Sequence, residues 1–501
     1  MRQSYSISAL IRLVAIALNA IGALVLLPFI LKSLGEYHFG IWGMASSITG
    51  YLLLLDLGIA MACTRYLSMQ AHEAKSWNAI ISNSLALSLA VTGLLVIAVI
   101  VTQILLHTGL ISPANATLTN VVSIVMVEVA LSIPLRMYQS ILRAEVRYTD
   151  IGLFEIVRIV LRVGGIFVAL LLGAGLLEIV LLSSCANTLF FLLPMLSVYK
   201  RHRSLYFQPD SINKPQLQSL FSFSKFSAIA QTSEFFKYRT DSVFAGMLLG
   251  ISSAAHFTLM AAIMDMLTQI LTRFTSYWDT IIIRQVGEGQ QQAALNTVMQ
   301  SLQIGLALSL LAALNTFLLG ETFLSIWAGE KYGFLSNALS LFSLILIGSS
   351  FQMATTPYFN AMEKQRENAF IALTEILAKL ALLIPFTRWF GFEGIIYASL
   401  CSSIGASLLL RLPLLARLAK TRLTTLLLAS GKALAPVLLI AGGVLIFYLF
   451  MDKQEKFSLR SLAIIFTIQL GGILFTTLLR KGTIPKPWKK SATAMGTSSA
   501  P

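Results

Sequence analysis

The chain has 501 residues, 56% of them hydrophobic and only 12% charged, with a formal net charge of +15 and a mean hydropathy of +0.78. A soluble globular chain carries about 25% charged residues, so that class is excluded. The basic balance invites a nucleic-acid reading, but most Lys and Arg lie in short gaps between apolar runs, where they set membrane orientation instead.

Apolar runs of about 20 residues, broken at charge, Gly or Pro clusters, mark helices able to cross a bilayer. The first follows Arg2 and Arg12 and is too long for a signal-peptide core, so an uncleaved helix is expected. Spans are predicted near 8–31, 39–61, 84–106, 118–138, 151–173 and 176–198. A basic linker, YKRHRSLYFQPDSINKPQLQ, follows. Further spans are predicted near 221–249, 254–283, 298–319, 335–358, 367–388, 393–415, 427–450 and 459–479, giving about fourteen in all. The tail from Thr483 to Pro501 is rich in Lys, Ser, Thr and Pro and is expected to be disordered.

Lys and Arg crowd the side that holds both termini; Arg411 is counted there as a flanking charge. The other side has only Lys32, Lys331, Arg388, Lys453, Lys456 and Arg460. By the positive-inside rule both termini are cytoplasmic. The loops on the opposite side are short, leaving no room there for a separate domain. Cys63, Cys185 and Cys401 lie in or beside apolar runs with no paired spacing, so no disulfide framework is implied.

Features of the first six spans recur, in order, in the next six. Leu34-Gly35 matches Leu249-Gly250, His38-Phe39 matches His256-Phe257, Glu155 matches Glu375, Cys185 matches Cys401, and LLPML from Leu192 matches RLPLL from Arg411. Both copies start on the same side, so the repeat is parallel, about an axis along the membrane normal. The fold class expected is an all-α polytopic membrane protein with two six-helix lobes and an appended helix pair. Its parts are an N-lobe (1–198), a basic linker (199–220), a C-lobe (221–415), spans 13 and 14 (416–482) and the tail (483–501).

Ionic groups inside spans cost roughly 2.5 to 3.5 kcal/mol each at the centre of a lone inserted helix, so they face a wet interior or one another. The stretch Phe221 to Ile283 keeps Glu234, Lys237, Arg239, Asp241, Asp265, Arg273 and Asp279, which places a polar cavity in the middle of the molecule. Glu155, Arg158 and Arg162 share one helical face, and two readings of them stand. The arginines present forks that fit phosphate oxygens, or Glu155 pairs with Arg158 to fix helix packing. Glu234, Lys237 and Asp241 repeat that spacing, and Glu234 corresponds to Asn19 in span 1. Asp265, Gln269 and Arg273 form a further track, and Lys379 follows Glu375. Glu234, Asp265 and Glu128 are candidates for coupling to a proton or cation, while Asp56 suits helix packing or a gate.

The segment LGEYHFGIWGMASSITGYLLLLDLGIAMACTRYLS, Leu34 to Ser68, resembles the Wzx-like lipid-linked oligosaccharide flippases of the multidrug/oligosaccharidyl-lipid/polysaccharide superfamily. Leu34, Gly35, Tyr37, Gly40, Trp42, Gly50-Tyr51, the LDLG at Leu55 to Gly58 and Arg65-Tyr66 carry the likeness. The resemblance implies movement of an undecaprenyl-pyrophosphate-linked oligosaccharide to the outer leaflet of a bacterial inner membrane, for O-antigen, lipopolysaccharide or exopolysaccharide assembly. It also implies a cation-lined cavity, for which Arg158, Arg162, Lys237, Arg239, Arg273 and Lys379 are the candidates. An acidic residue followed by a basic one is frequent in the family near Asp241; here Ser242 follows, and Arg239 is the nearest substitute.

The rivals are a cation-coupled multidrug antiporter of the same superfamily and a membrane polysaccharide polymerase or ligase. The antiporter usually has twelve spans, and the enzyme a large outer loop with catalytic Arg and His. His72-Glu73 begins like a zinc-protease motif, but Ser76 stands where the second His belongs, and there is no Walker loop. A transporter rather than an enzyme is expected, with no cofactor and with proton or sodium coupling left open. Its partners are the glycolipid, membrane lipids and other polysaccharide-assembly membrane proteins. A membrane-impermeant thiol reagent is expected to label Lys331→Cys in intact cells, but Lys364→Cys only after permeabilisation; the reverse pattern would invert the topology.

Overall fold

The computed structural model describes residues 5–54, 58–69, 74–110, 116–202, 207–220, 240–428 and 442, and among these there is helix but no strand. Two compact units divide the chain, Met1–Leu426 and Leu427–Pro501, the second almost wholly outside the described residues. The expectations for the start of span 7, for spans 13 and 14 and for the tail therefore fall outside them too.

The N-terminal half comprises α1 (Tyr5–Leu54), α2 (Ile59–Met69), α3 (Ala74–His107), α4 (Ala116–Ala144), α5 (Tyr148–Leu171) and α6 (Leu176–Arg201). The C-terminal half comprises α7 (Asp241–Leu249), α8 (Ile251–Thr275), α9 (Asp279–Gly287), α10 (Gln291–Trp327), α11 (Ser336–Ser343), α12 (Ile345–Ala361), α13 (Gln365–Phe390), α14 (Phe392–Ala406) and α15 (Leu412–Leu418). Among the described residues, 9 segments are long and apolar enough to cross a membrane: this is a multi-pass membrane protein.

The differences from the predicted spans have physical causes. Spans 1 and 2 are both helical within α1 and meet at the break expected between them: its 50 residues would reach about 75 Å if straight, far beyond a hydrocarbon core of about 30 Å. Gly35 breaks it with φ 77°, ψ 170°, a conformation essentially restricted to glycine. Gly250, between α7 and α8, adopts nearly the same one, φ 100°, ψ 164°. The two Leu-Gly pairs thus perform one backbone task in both halves, and Gly173 and Gly391, between α5 and α6 and between α13 and α14, likewise share a positive φ. Span 5 is helical as α5 but falls outside those 9 segments, because Asp150, Glu155, Arg158 and Arg162 all lie on it.

Large apolar side chains such as Leu94, Ile97, Ile104, Val160 and Leu377 are exposed, as lipid-facing positions are, while small hydroxyl side chains join helices inside. Ser309 donates to the Leu346 carbonyl at 3.0 Å and shares a hydrogen bond of 2.8 Å with Ser350; Thr316 and Ser343 are 2.9 Å apart. The described part of the linker is fastened to α3. Asn83 donates to the Ser211 carbonyl at 2.9 Å and accepts from the Asn213 amide at 3.0 Å, and Ser82 accepts from the Gln208 amide at 2.8 Å.

The halves meet where α1 beyond Gly35 crosses α8. A Cβ added at Gly43 would lie 1.7 Å from Thr258 Oγ1, and one at Gly40 2.3 Å from the Ile251 carbonyl oxygen, so only glycine permits this approach. Ser47 and Ser242 hydrogen-bond across the same seam at 2.8 Å. Gly43→Leu is expected to lower stability by about 1 to 3 kcal/mol through overpacking, read by denaturant unfolding in detergent. Gly164→Ala, where an added Cβ meets nothing within 4 Å, should not lower it and should raise it by up to about 1 kcal/mol, as Ala in place of Gly inside a helix does.

Candidate functional site

A cavity of about 260 Å³ lies between the halves, slightly below the roughly 300 to 1,000 Å³ of ordinary ligand pockets. Asn19, Leu24, Leu27, Trp42, Gly43, Ser46 and Ser47 of α1 and Arg162 of α5 line it from one half; Ser242 of α7, Thr258, Ala262, Asp265, Met266 and Gln269 of α8 and Trp327 of α10 line it from the other. Thr258, Ala262, Asp265 and Gln269 recur at three- and four-residue intervals, so one stripe of α8 faces the space. Among the described lining residues the charges are one guanidinium and one carboxylate, surrounded by amides, hydroxyls and two indoles.

Arg162 is oriented by α6: its Nε donates to Ser183 Oγ at 3.0 Å. One turn further along α6, Asn187 Oδ1 accepts from Arg158 at 3.0 Å, and the same amide donates to Glu128 Oε1 at 2.8 Å. Arg158 also forms an ion pair with Glu155, and its guanidinium lies 5.5 Å from the Phe190 ring centre, within cation–π range. Arg158 and Glu128 therefore belong to a polar core inside the first half, behind the cavity wall that Arg162 reaches.

The C-terminal half buries its own pair. Lys379 Nζ is 2.7 Å from Asp241 Oδ1, with side-chain exposures of 5% and 2%, and Ser399 Oγ lies 3.3 and 3.4 Å from the two carboxylate oxygens. In the repeat, Ser399 corresponds to Ser183, just as Cys401 corresponds to Cys185. Arg411, 1% exposed, donates to Asn368 Oδ1 at 2.9 Å and lies 3.9 Å from Glu375. It lies in the protein interior, with both partners on α13.

Of the residues singled out in the sequence, Asn19, Arg162 and Asp265 come together on the cavity wall. Lys379 and Asp241 are held against each other, and Arg273 is exposed near the end of α8, away from the lining. Glu234, Lys237, Arg239 and Asp56 lie outside the described residues. Ser183 and Asn187 were not anticipated: uncharged side chains on an apolar span carry no signal until the rotation of α6 against α5 is known. Cys63, Cys185 and Cys401 are free thiols, and no group of His, Cys, Asp or Glu among the described residues is placed to hold a metal.

Similarity to known proteins agrees with this architecture. "Uncharacterized membrane protein EpsK" of Bacillus subtilis (strain 168) is 22% identical over 410 residues, covering 80% of this chain and 81% of that one. The structure of the lipid II flippase MurJ in an inward closed conformation matches with a TM-score of 0.70 at 15% identity, over 93% of this chain and 99% of that one. An inward-facing multidrug resistance MATE family transporter of the MOP superfamily matches with a TM-score of 0.68 at 14% identity, over 83% and 98%. At such identities these two likenesses are of fold alone. The model of one family, described as polysaccharide biosynthesis protein, matches residues 8–278, and with more than half of its length so matched the chain belongs to that family.

Proposed function

We propose that this protein carries a polyprenyl-pyrophosphate-linked oligosaccharide across the bacterial inner membrane by alternating access, with both termini cytoplasmic, in cell-surface polysaccharide assembly. The observation that carries the reading is the cavity between the halves, with Arg162 held in place by Ser183 and sharing the space with amides, hydroxyls and the Asp265 carboxylate. A guanidinium on a fixed fork suits phosphate oxygens, while Asn19, Gln269, Ser46 and Ser47 offer the amides and hydroxyls that sugar hydroxyls require. Trp42 and Trp327 add apolar ring faces to the same space. Membership of a polysaccharide biosynthesis family and the fold shared with a lipid II flippase support the same direction.

In this reading Arg162 is the headgroup contact, and Arg158 stiffens the helix pair that presents it. Asp265, on the wall itself, is the carboxylate best placed to couple a proton or sodium ion to the passage of cargo; Glu128 sits deeper in the first half. A cation-coupled drug antiporter is the second reading, favoured by that same Asp265 in a cavity with hydroxyl and amide neighbours. Among the described lining residues there is no histidine or cysteine, so the membrane-enzyme reading finds neither a nucleophile–histidine pair nor a metal cluster there.

Proteoliposomes carrying a fluorescent polyprenyl-pyrophosphate oligosaccharide separate these readings. Arg162→Ala is expected to slow leaflet transfer by roughly 10- to 100-fold, the equivalent of one charge-assisted hydrogen bond of about 1.5 to 3 kcal/mol, with the unfolding midpoint little changed. Unchanged transfer, or transport of a cationic dye with no movement of glycolipid, would overturn the proposal. Lys379→Ala is expected to act in the opposite way, costing about 3 to 5 kcal/mol of stability because it strands a buried carboxylate. The paired change Lys379→Met with Asp241→Asn should recover most of that loss in denaturant unfolding.

A further inference from the structure

On the side of the cavity facing the Gly35 break, one carboxylate of the first half collects three donors from the second. Glu36, the residue after the glycine, has Oε1 3.2 Å from His256 Nε2. Its Oε2 is 3.5 Å from Lys331 Nζ and also 3.5 Å from the Tyr332 hydroxyl, which donates to it. The donors come from α8 and from the turn after α10, so the contact ties two separate elements of the C-terminal half to one point on α1. Aromatic rings hold the imidazole in place: those of Tyr332, Phe334 and Phe392 stand edge-on to it, with centres 6.2, 5.3 and 6.0 Å away. Close by, the Trp327 indole N–H donates to the Leu24 carbonyl at 2.7 Å.

This cluster adjoins the cavity. Trp327, four residues before Lys331, and Leu24, which accepts its indole hydrogen bond, are lining residues. The sequence places the cluster on the face with few basic residues, opposite the termini. We propose that Glu36, His256, Lys331 and Tyr332 form an outer gate: together they close the cavity toward the outside, and they must separate for cargo to leave. A single acceptor serving three donors suits that role, because withdrawing one side chain releases all three contacts together, and partly hydrated groups re-form such contacts more readily than a dry pair like Asp241 and Lys379. The inference rests on the alternating-access reading, but its test involves no cargo.

The experiment uses the full-length chain with Cys63, Cys185 and Cys401 replaced and one reporter, Ala262→Cys, on the cavity wall. An impermeant maleimide is applied to intact cells. In the parent, labelling should be slow. Glu36→Gln should raise its rate by about fivefold or more, the lower end of usual coupling between two states, and His256→Gln should raise it less. Exchanging the charges, Glu36→Lys with Lys331→Glu, rebuilds only one of the three contacts and should leave the rate above the parent value. A separate reporter at Lys364→Cys, labelled after permeabilisation at an unchanged rate, shows that the variants fold; should Glu36→Gln fail that check, His256→Gln and Lys331→Met test the gate instead. Equal labelling in parent and variants, rapid labelling in the parent, or a rise seen only from the cytoplasmic face would each overturn the gate. Faster labelling without glycolipid movement would leave the gate standing and remove only the assigned cargo.

Discussion

A charge placed in the hydrocarbon layer has to meet an opposite charge, a hydrogen-bonding partner or water, and the helix pairs of this protein are arranged around that requirement. In the C-terminal half, Lys379 of α13 meets Asp241 at the start of α7, and Arg411 reaches Asn368 and Glu375 of α13. In the N-terminal half, Glu155, Arg158, Asn187 and Glu128 link α5, α6 and α4 in one chain of contacts. Each half is thereby made a firm body with its ionic groups largely satisfied within it. The seam between the halves is made differently, from glycines in close approach, a shared pair of serine hydroxyls and a cluster around one carboxylate.

The two halves share a scaffold and differ in their use of it. Gly35 and Gly250 break the chain in the same conformation, and Ser183 and Ser399 occupy corresponding turns of α6 and α14. Yet Ser183 steadies an arginine that reaches the cavity, whereas Ser399 adds a hydrogen bond to an ion pair sealed within its own half. Duplication supplied two equivalent places for polar groups, and only one of them, as far as the described residues extend, opens onto the space between. The asymmetry gives that space a cationic side on α5 and a carboxylate side on α8.

Much of this was legible in the sequence, because lipid imposes a simple rule on it. Apolar runs of sufficient length gave the helices, and matched Leu-Gly and Leu-Pro pairs gave the duplication. The rule weakens where a helix must carry charge: α5 holds Asp150, Glu155, Arg158 and Arg162 and contributes the cavity's arginine. Helix rotation was not legible. Arg158 and Arg162 lie on one face of α5 and looked equivalent; the structure separates them by what α6 sets opposite each one, an amide against the first and a hydroxyl against the second. Arg411 was counted only as one of the basic residues on the side of the termini, since a buried partner in a different helix leaves no local trace. Lys379 and Asp241 are far apart in sequence, and nothing short of the fold could pair them.

Arg411 closes a stretch, Ser407 to Arg411, in which the helix widens so that the Leu412 amide reaches back five residues to the Ser407 carbonyl. One more residue is stored in that turn than an ordinary helix would hold. Deleting one residue from 407 to 410 would close the widened turn into the regular ladder and keep the helix on either side nearly in line, whereas the same deletion elsewhere in α14 would turn Arg411 by about 100° relative to what precedes it. The widened turn is therefore slack in the chain: it takes up one residue locally, so that Arg411 faces Asn368 and Glu375 without a rotation of the helix beyond it.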